Sequence, residues 1–186
     1  MFAVFDDVIS LDDCIVLKER IQSWYFNCLT ENSKEQLWNW KRRALDVTPE
    51  HLSFENNSTF ERNFSLDLKA KEIQEKTFLK VKKLIETRCN LELQLESAEL
   101  QTWPMNTDGP AHIHDGYRSL TDFNSLLYLN DDFDGGEFYT EDGIIVRPKP
   151  GRLTFFDGSK VKHGVNEIYN GNRFTMIFWW KKTKFK

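Results

Sequence analysis

At residue 91 the hydrophobic rhythm of this chain changes from a helical period to a period of two, and few folds accommodate both halves. Before the change, Cys14, Leu17, Ile21, Trp24 and Cys28 recur at the spacing of one helix face. Ser10 with Asp13 makes a capping box at its start, Asp taking the place of the usual Glu. Ser65 caps a second helix over 66–88, whose buried stripe is Ala70, Ile73, Phe78, Val81, Leu84 and Ile85. After the change, Leu91, Leu93 and Leu95 alternate with polar residues. Strand-like runs follow at 98–103, 123–130, 136–140, 143–146, 152–156, 160–168 and 172–180. Gly135-Gly136, Asp142-Gly143, Pro150-Gly151, Asp157-Gly158 and Asn170-Gly171 punctuate them as turns. Many short strands at this spacing make a sandwich or barrel. With a short strand at Phe2–Phe5 and two helices ahead of it, the expected class is mainly β with N-terminal helices (α+β), the two main helices covering one sheet face.

A chain of 186 residues is expected to form one domain, 1–186. Residues 1–90 would be mostly helical support, 91–181 the β core and 182–186 a basic, solvated tail. Residues 30–64 lack a clean period and hold Trp38, Trp40 and the cluster Lys41-Arg42-Arg43; they form a candidate lid. Helix packing explains the two tryptophans better than stacking on nucleic acid does. The 29 acidic against 25 basic residues give a net charge of −4, which excludes a globally basic nucleic-acid binder. No apolar run approaches the roughly 20 residues of a membrane span. The acidic N-terminus does not read as a secretory signal. Cys14, Cys28 and Cys89 are expected as free thiols, so the expected location is cytoplasmic.

The chemistry-bearing residues lie in the β half. His112 and His114 are two apart, so an extended backbone points both to one face. His163 sits on a later strand that a jelly roll can bring alongside. Histidines converging inside a barrel have the shape of a metal site. Arg173 opens an otherwise apolar strand that carries Thr175, Ile177 and Trp179 on its own face and Phe174, Met176, Phe178 and Trp180 on the other. An arginine head pointing inward there needs a partner, and a carboxylate supplies a bidentate one.

Several segments taken in order resemble a known family. They are His112; Leu127-Tyr128-Leu129-Asn130-Asp131-Asp132-Phe133 with Gly135-Gly136-Glu137; Val146-x-Pro148-x-Pro150-Gly151-x-Leu153-x-Phe155-Phe156; His163-Gly164-Val165; and Asn170-Gly171-x-Arg173-Phe174-Thr175. Together they are similar to iron(II)/2-oxoglutarate-dependent dioxygenases of the prolyl 4-hydroxylase type, above all to small microbial and phage members. The resemblance covers residues 100–181. It implies a double-stranded β-helix, or jelly-roll, core that holds Fe(II), takes 2-oxoglutarate and O2 as cosubstrates and has ascorbate as a further candidate cofactor. His112 and His163 match the two metal-binding histidines, and Arg173 matches the arginine that takes the far carboxylate of 2-oxoglutarate. Tyr128 and Thr175 match positions whose hydroxyls assist it. Tyr117 and Arg118, in the loop after the metal strand, would border the substrate.

The chain departs from the pattern at His114, where the family has Asp or Glu. His114 could itself be the ligand, giving an all-histidine site. A bulge could instead turn Asp115 inward. Or His114 could be the first ligand with Gly116 at the carboxylate position, the arrangement that resembles iron/2-oxoglutarate halogenases. The expected function is hydroxylation of a C–H bond in a peptidyl residue, prolyl by analogy, or in a small molecule, with 2-oxoglutarate and O2 converted to succinate and CO2. The alternative is a non-catalytic jelly-roll module that binds a ligand or protein after losing the metal carboxylate.

Overall fold

The computed structural model describes residues 1–31, 45–47, 64–114 and 121–185. Its first strand, β1 (Phe2–Phe5), leads into helix α1 (Leu11–Glu31). The Asp13 amide donates to Ser10 Oγ at 3.1 Å, the capping bond the sequence predicts. Helix α2 (Phe64–Cys89) starts two residues earlier than Ser65 as a cap implies, a difference within the fraying of helix ends. Between the helices only β2 (Leu45–Val47) is described. The rest of the candidate lid, Trp38 and Trp40 included, lies outside the described residues. Among the described residues no helix is long and apolar enough to cross a membrane.

The β half contains β3 (Leu91–Trp103), β4 (Gly109–His112), β5 (Phe123–Tyr128), β6 (Asp134–Gly135), β7 (Phe138–Thr140), β8 (Ile145–Val146), β9 (Leu153–Phe156), β10 (His163–Val165), β11 (Ile168–Asn170) and β12 (Arg173–Phe185). Every pairing is antiparallel. The major sheet runs β1-β9-β5-β12-β3-β2, the minor sheet β4-β10-β7-β8, and β6 pairs with β11. This is the jelly roll expected from the resemblance, with both helices laid against the major sheet.

Alternation along the strands separates two cores. On the helix side, Phe174, Met176, Phe178 and Trp180 of β12 and Leu127 of β5 pack with Leu17, Ile21, Val81 and Ile85 of the helices. Between the sheets, Leu126 and Tyr128 of β5 pack with Phe138, Val146 and Phe156. The two faces of β12 are therefore those the sequence predicts. Two boundaries differ. Residues 91–103 form one strand instead of two, because Glu96 bulges out where Trp179 pairs with Ser97 and Trp180 with Leu95. The bulge shifts the buried set from Leu91, Leu93 and Leu95 to Ala98 and Leu100. The basic run is also not a free tail: Lys181–Phe185 continue β12 and pair with Leu91–Gln94, and Asp122 accepts from the Lys182 amide at 2.7 Å.

Trp180 joins the sheet to α2. It is fully buried, stacks on Phe178 at 5.6 Å and Phe78 at 6.0 Å, and donates its indole N–H to Ser125 Oγ. Trp180→Ala is expected to cost about 3–5 kcal/mol. Urea unfolding of the variant should show a midpoint lowered in proportion, with an unchanged slope.

Candidate metal centre

Strand pairing assembles the site. In the antiparallel pair of β4 and β10, His163 is the direct partner of His112. His114 lies just beyond the end of β4, where its main-chain N–H donates to the Gly158 carbonyl at 2.9 Å. The three rings stand 4.7 Å (His112–His163), 4.8 Å (His114–His163) and 5.2 Å (His112–His114) apart, and one ring nitrogen from each lies within 4.8 Å of the others. His112 is exposed, His114 half-buried and His163 buried between Phe138 and Phe156.

The outer hydrogen bonds set the tautomers. His112 Nδ1 meets the Pro110 carbonyl at 2.9 Å, and His163 Nδ1 meets the Val161 carbonyl at 2.7 Å. A carbonyl only accepts, so Nδ1 carries a proton in both rings, and in the neutral ring Nε2 is the nitrogen left with a lone pair. His114 Nδ1 meets the side-chain oxygen of Asn124 at 2.8 Å, with the same consequence. Burial, aided by the neighbouring His114 and His112, pulls the His163 pKa down to about 4 against the pull of the Val161 carbonyl. That ring is neutral near pH 7. Three imidazoles with ring nitrogens this close are a donor set suited to a first-row divalent metal.

A second cluster lies at the other end of the interior face of β12. Arg173 is fully buried, and among the described residues no acceptor meets any of its guanidinium nitrogens. Its Cζ is 5.2 Å from the Tyr128 ring and 5.5 Å from the Trp103 ring. Burial lowers its pKa, opposed by the Tyr128 hydroxyl. Thr175, also fully buried, has no hydroxyl partner among the described residues and pairs directly with Tyr128. The Tyr128 hydroxyl accepts from the Phe138 amide at 3.2 Å and donates to the Val146 carbonyl at 3.4 Å, and burial raises its pKa. An unpaired buried guanidinium is costly unless something anionic joins it, so this donor set fits a carboxylate.

The start of β12 is held from the Tyr-Leu-Asn segment. Asn130 donates to the Asn172 carbonyl at 2.8 Å and accepts from the Phe174 amide at 2.8 Å, bracketing Arg173. Gly136 has φ +66°, and a Cβ there would stand 3.1 Å from Arg173 Cδ, so glycine leaves room for the arginine stem. Glu137 accepts from the Asn166 side-chain amide at 3.1 Å.

Between the sheets lies a cavity of about 330 Å³, lined by all three histidines, Asn124, Trp179 and Trp103 among others. Arg173, Tyr128 and Thr175 are not part of its wall; Trp103 both lines it and touches Arg173. The structure thus gathers each predicted set, histidines and carboxylate cradle, as a separate cluster. Asp115, Gly116, Tyr117 and Arg118 lie outside the described residues. Asn124 and Gly158 escaped the sequence reading. The signal for the first was an amide inside the fully buried strand Phe123–Tyr128.

Residues 101–181 match the family model of the 2OG-Fe(II) oxygenase superfamily. Over this stretch the chain is similar to that superfamily. The family's name carries the two components that the histidine cluster and the arginine cradle suit. Over 68 residues the chain is 41% identical to prolyl 3-hydroxylase 2 of Mus musculus, covering 33% of this chain and 10% of that protein. It therefore spans about a tenth of the curated relatives it matches. The oxygenase fold extends further. The viral collagen prolyl hydroxylase of Paramecium bursaria Chlorella virus-1, solved as a 2OG complex, superposes with a TM-score of 0.65 at 17% identity, over 98% of this chain and 96% of that one. A prolyl-4-hydroxylase of Pseudomonas putida gives 0.58 at 16% identity, over 98% and 93%. At these identities the likeness is one of fold.

Proposed function

We propose that this chain is an Fe(II)- and 2-oxoglutarate-dependent oxygenase that hydroxylates a C–H bond of a peptidyl residue, with proline the first candidate. The observation that carries the reading is the pairing of two incomplete clusters in one jelly roll. Three imidazoles bring ring nitrogens within 4.8 Å of one another with every Nδ1 already engaged, and a buried guanidinium meets no acceptor among the described residues. His112, His114 and His163 would hold the metal. Arg173, assisted by Thr175 and Tyr128, would hold the far carboxylate of 2-oxoglutarate. When bound, iron with 2-oxoglutarate and O2 supplies the oxidising chemistry, yielding succinate and CO2. The apolar walls of the cavity, Trp103, Phe138, Phe156 and Trp179 among them, would exclude water from it. The peptide substrate rests on the relatives' names, since prolyl hydroxylases recur among them.

An anaerobic titration of untagged protein with Fe(II) and 2-oxoglutarate tests this. The expected result is a visible charge-transfer band that saturates near one equivalent of each. Folded protein that gives no band and retains no metal would instead be the binding module, for which the histidine at position 114 is the favouring feature.

A further inference from the structure

We propose that Asn124 is a positioning residue that makes His114 a metal ligand, with Gly158 as the backbone against which the pair is set. This rests on the metal-site reading above and decides which group fills the position where the family pattern has a carboxylate.

A histidine offers one nitrogen to a metal only when the other holds the proton. His112 and His163 satisfy that condition locally, each through a carbonyl two residues earlier in its own chain. His114 has a different arrangement. Its Nδ1 partner is a side chain ten residues on, in the middle of β5. Asn124 is 2% exposed and lines the cavity. It pairs across the sheet with Trp179, whose ring packs on His114 at 4.9 Å. An amide in so buried a strand position is costly without a polar task, and the His114 ring provides one.

Gly158 supplies the independent observation. Its carbonyl accepts the His114 main-chain N–H at 2.9 Å. A Cβ on Gly158 would stand 2.0 Å from Asn124 Oδ1 and 2.5 Å from His114 Nδ1, on top of the hydrogen bond itself. Its φ is not in the positive range that calls for glycine elsewhere in the chain. The need for glycine here is therefore steric, and the space it leaves is filled by the Asn124–His114 contact. Three separate parts of the fold, β5, the turn after β9 and β12, converge on the orientation of one ring. A histidine that merely replaced a lost ligand would need none of them.

The test is Co(II) binding to the full chain by competition with a chromophoric chelator, with melting of the metal-free protein as the fold control. Asn124→Leu removes the acceptor at similar volume and is expected to weaken Co(II) binding about 10–100-fold, the usual effect of losing a ligand's outer partner. Asn124→Asp can only accept, so it keeps the Nδ1 proton in place and is expected to bind Co(II) at least as tightly as wild type. Gly158→Ala is expected to behave like Asn124→Leu. Asn124→Leu binding within twofold of wild type, or Asn124→Asp losing as much as Asn124→Leu, overturns the assignment while leaving the metal site standing. Wild-type protein that binds no Co(II) overturns both.

Discussion

Arg173→Met is expected to weaken 2-oxoglutarate binding by about 30-fold or more while leaving the metal-free protein at least as stable as wild type. The two halves of that result have one cause. Arg173 is fully enclosed and its guanidinium meets no acceptor among the described residues. Its charge is therefore a burden in the empty protein and an asset once a carboxylate arrives. Methionine keeps most of the stem that packs by Trp103 and Tyr128 but removes the charge. Replacing buried charge by an apolar side chain of similar volume is often neutral or stabilising. Losing one partner of a buried, hydrogen-bonded charge pair costs about 2–5 kcal/mol, which sets the lower bound on the affinity loss. Arg173→Lys should fall between the two, since it keeps the charge and loses the fork. Titration of the Fe(II)-loaded variants with 2-oxoglutarate, beside melting curves of the empty ones, reads both halves. Unchanged 2-oxoglutarate affinity in Arg173→Met removes the arginine from the site.

What the sequence revealed and what it hid follow from the range of the forces involved. The period of two after Leu91 exposed the sheets, because burial on one face is written into alternate residues. It also gave the two faces of β12, since Phe174 to Trp180 alternate without interruption. The same rule concealed the bulge at Glu96. One extra residue reverses the parity of the buried set, so a continuous strand looked like two. The end of β12 was hidden differently: Lys181 and Lys182 have charged side chains, but sheet pairing there uses only the backbone. At the site, His112 was legible from its two-residue spacing to His114, and His163 from its place in the ordered family motifs. Their direct pairing required knowing which strands meet. Asn124 and Gly158 act across the fold. Asp157-Gly158 looked like an ordinary turn, and nothing local says that the missing Cβ makes room for a contact made by residues 114 and 124.

Metal binding should be visible as stability, and His163 is where it should vanish. At 100 times the dissociation constant a ligand that binds only the folded state contributes about 2.7 kcal/mol. For a domain of this length that corresponds to a rise of about 5–10 °C in melting temperature. Fe(II), added without oxygen, is expected to raise the wild-type value by that amount. His163→Ala should abolish the rise. Its ring stands 4.7 Å from His112 and 4.8 Å from His114, so its loss leaves only the neighbouring pair His112 and His114, 5.2 Å apart, with no third imidazole to complete the site. The substitution also opens a gap beside Phe138 and Phe156, which lowers the melting temperature with or without metal. The informative quantity is therefore the difference between metal-bound and metal-free melting within each variant. His112 is exposed, so His112→Ala separates the two effects: it should lose the metal-induced rise with little change in the metal-free value. A His163→Ala protein that still gains the full wild-type increment would mean that the metal sits elsewhere, and the three converging imidazoles would then be a packing feature of the barrel.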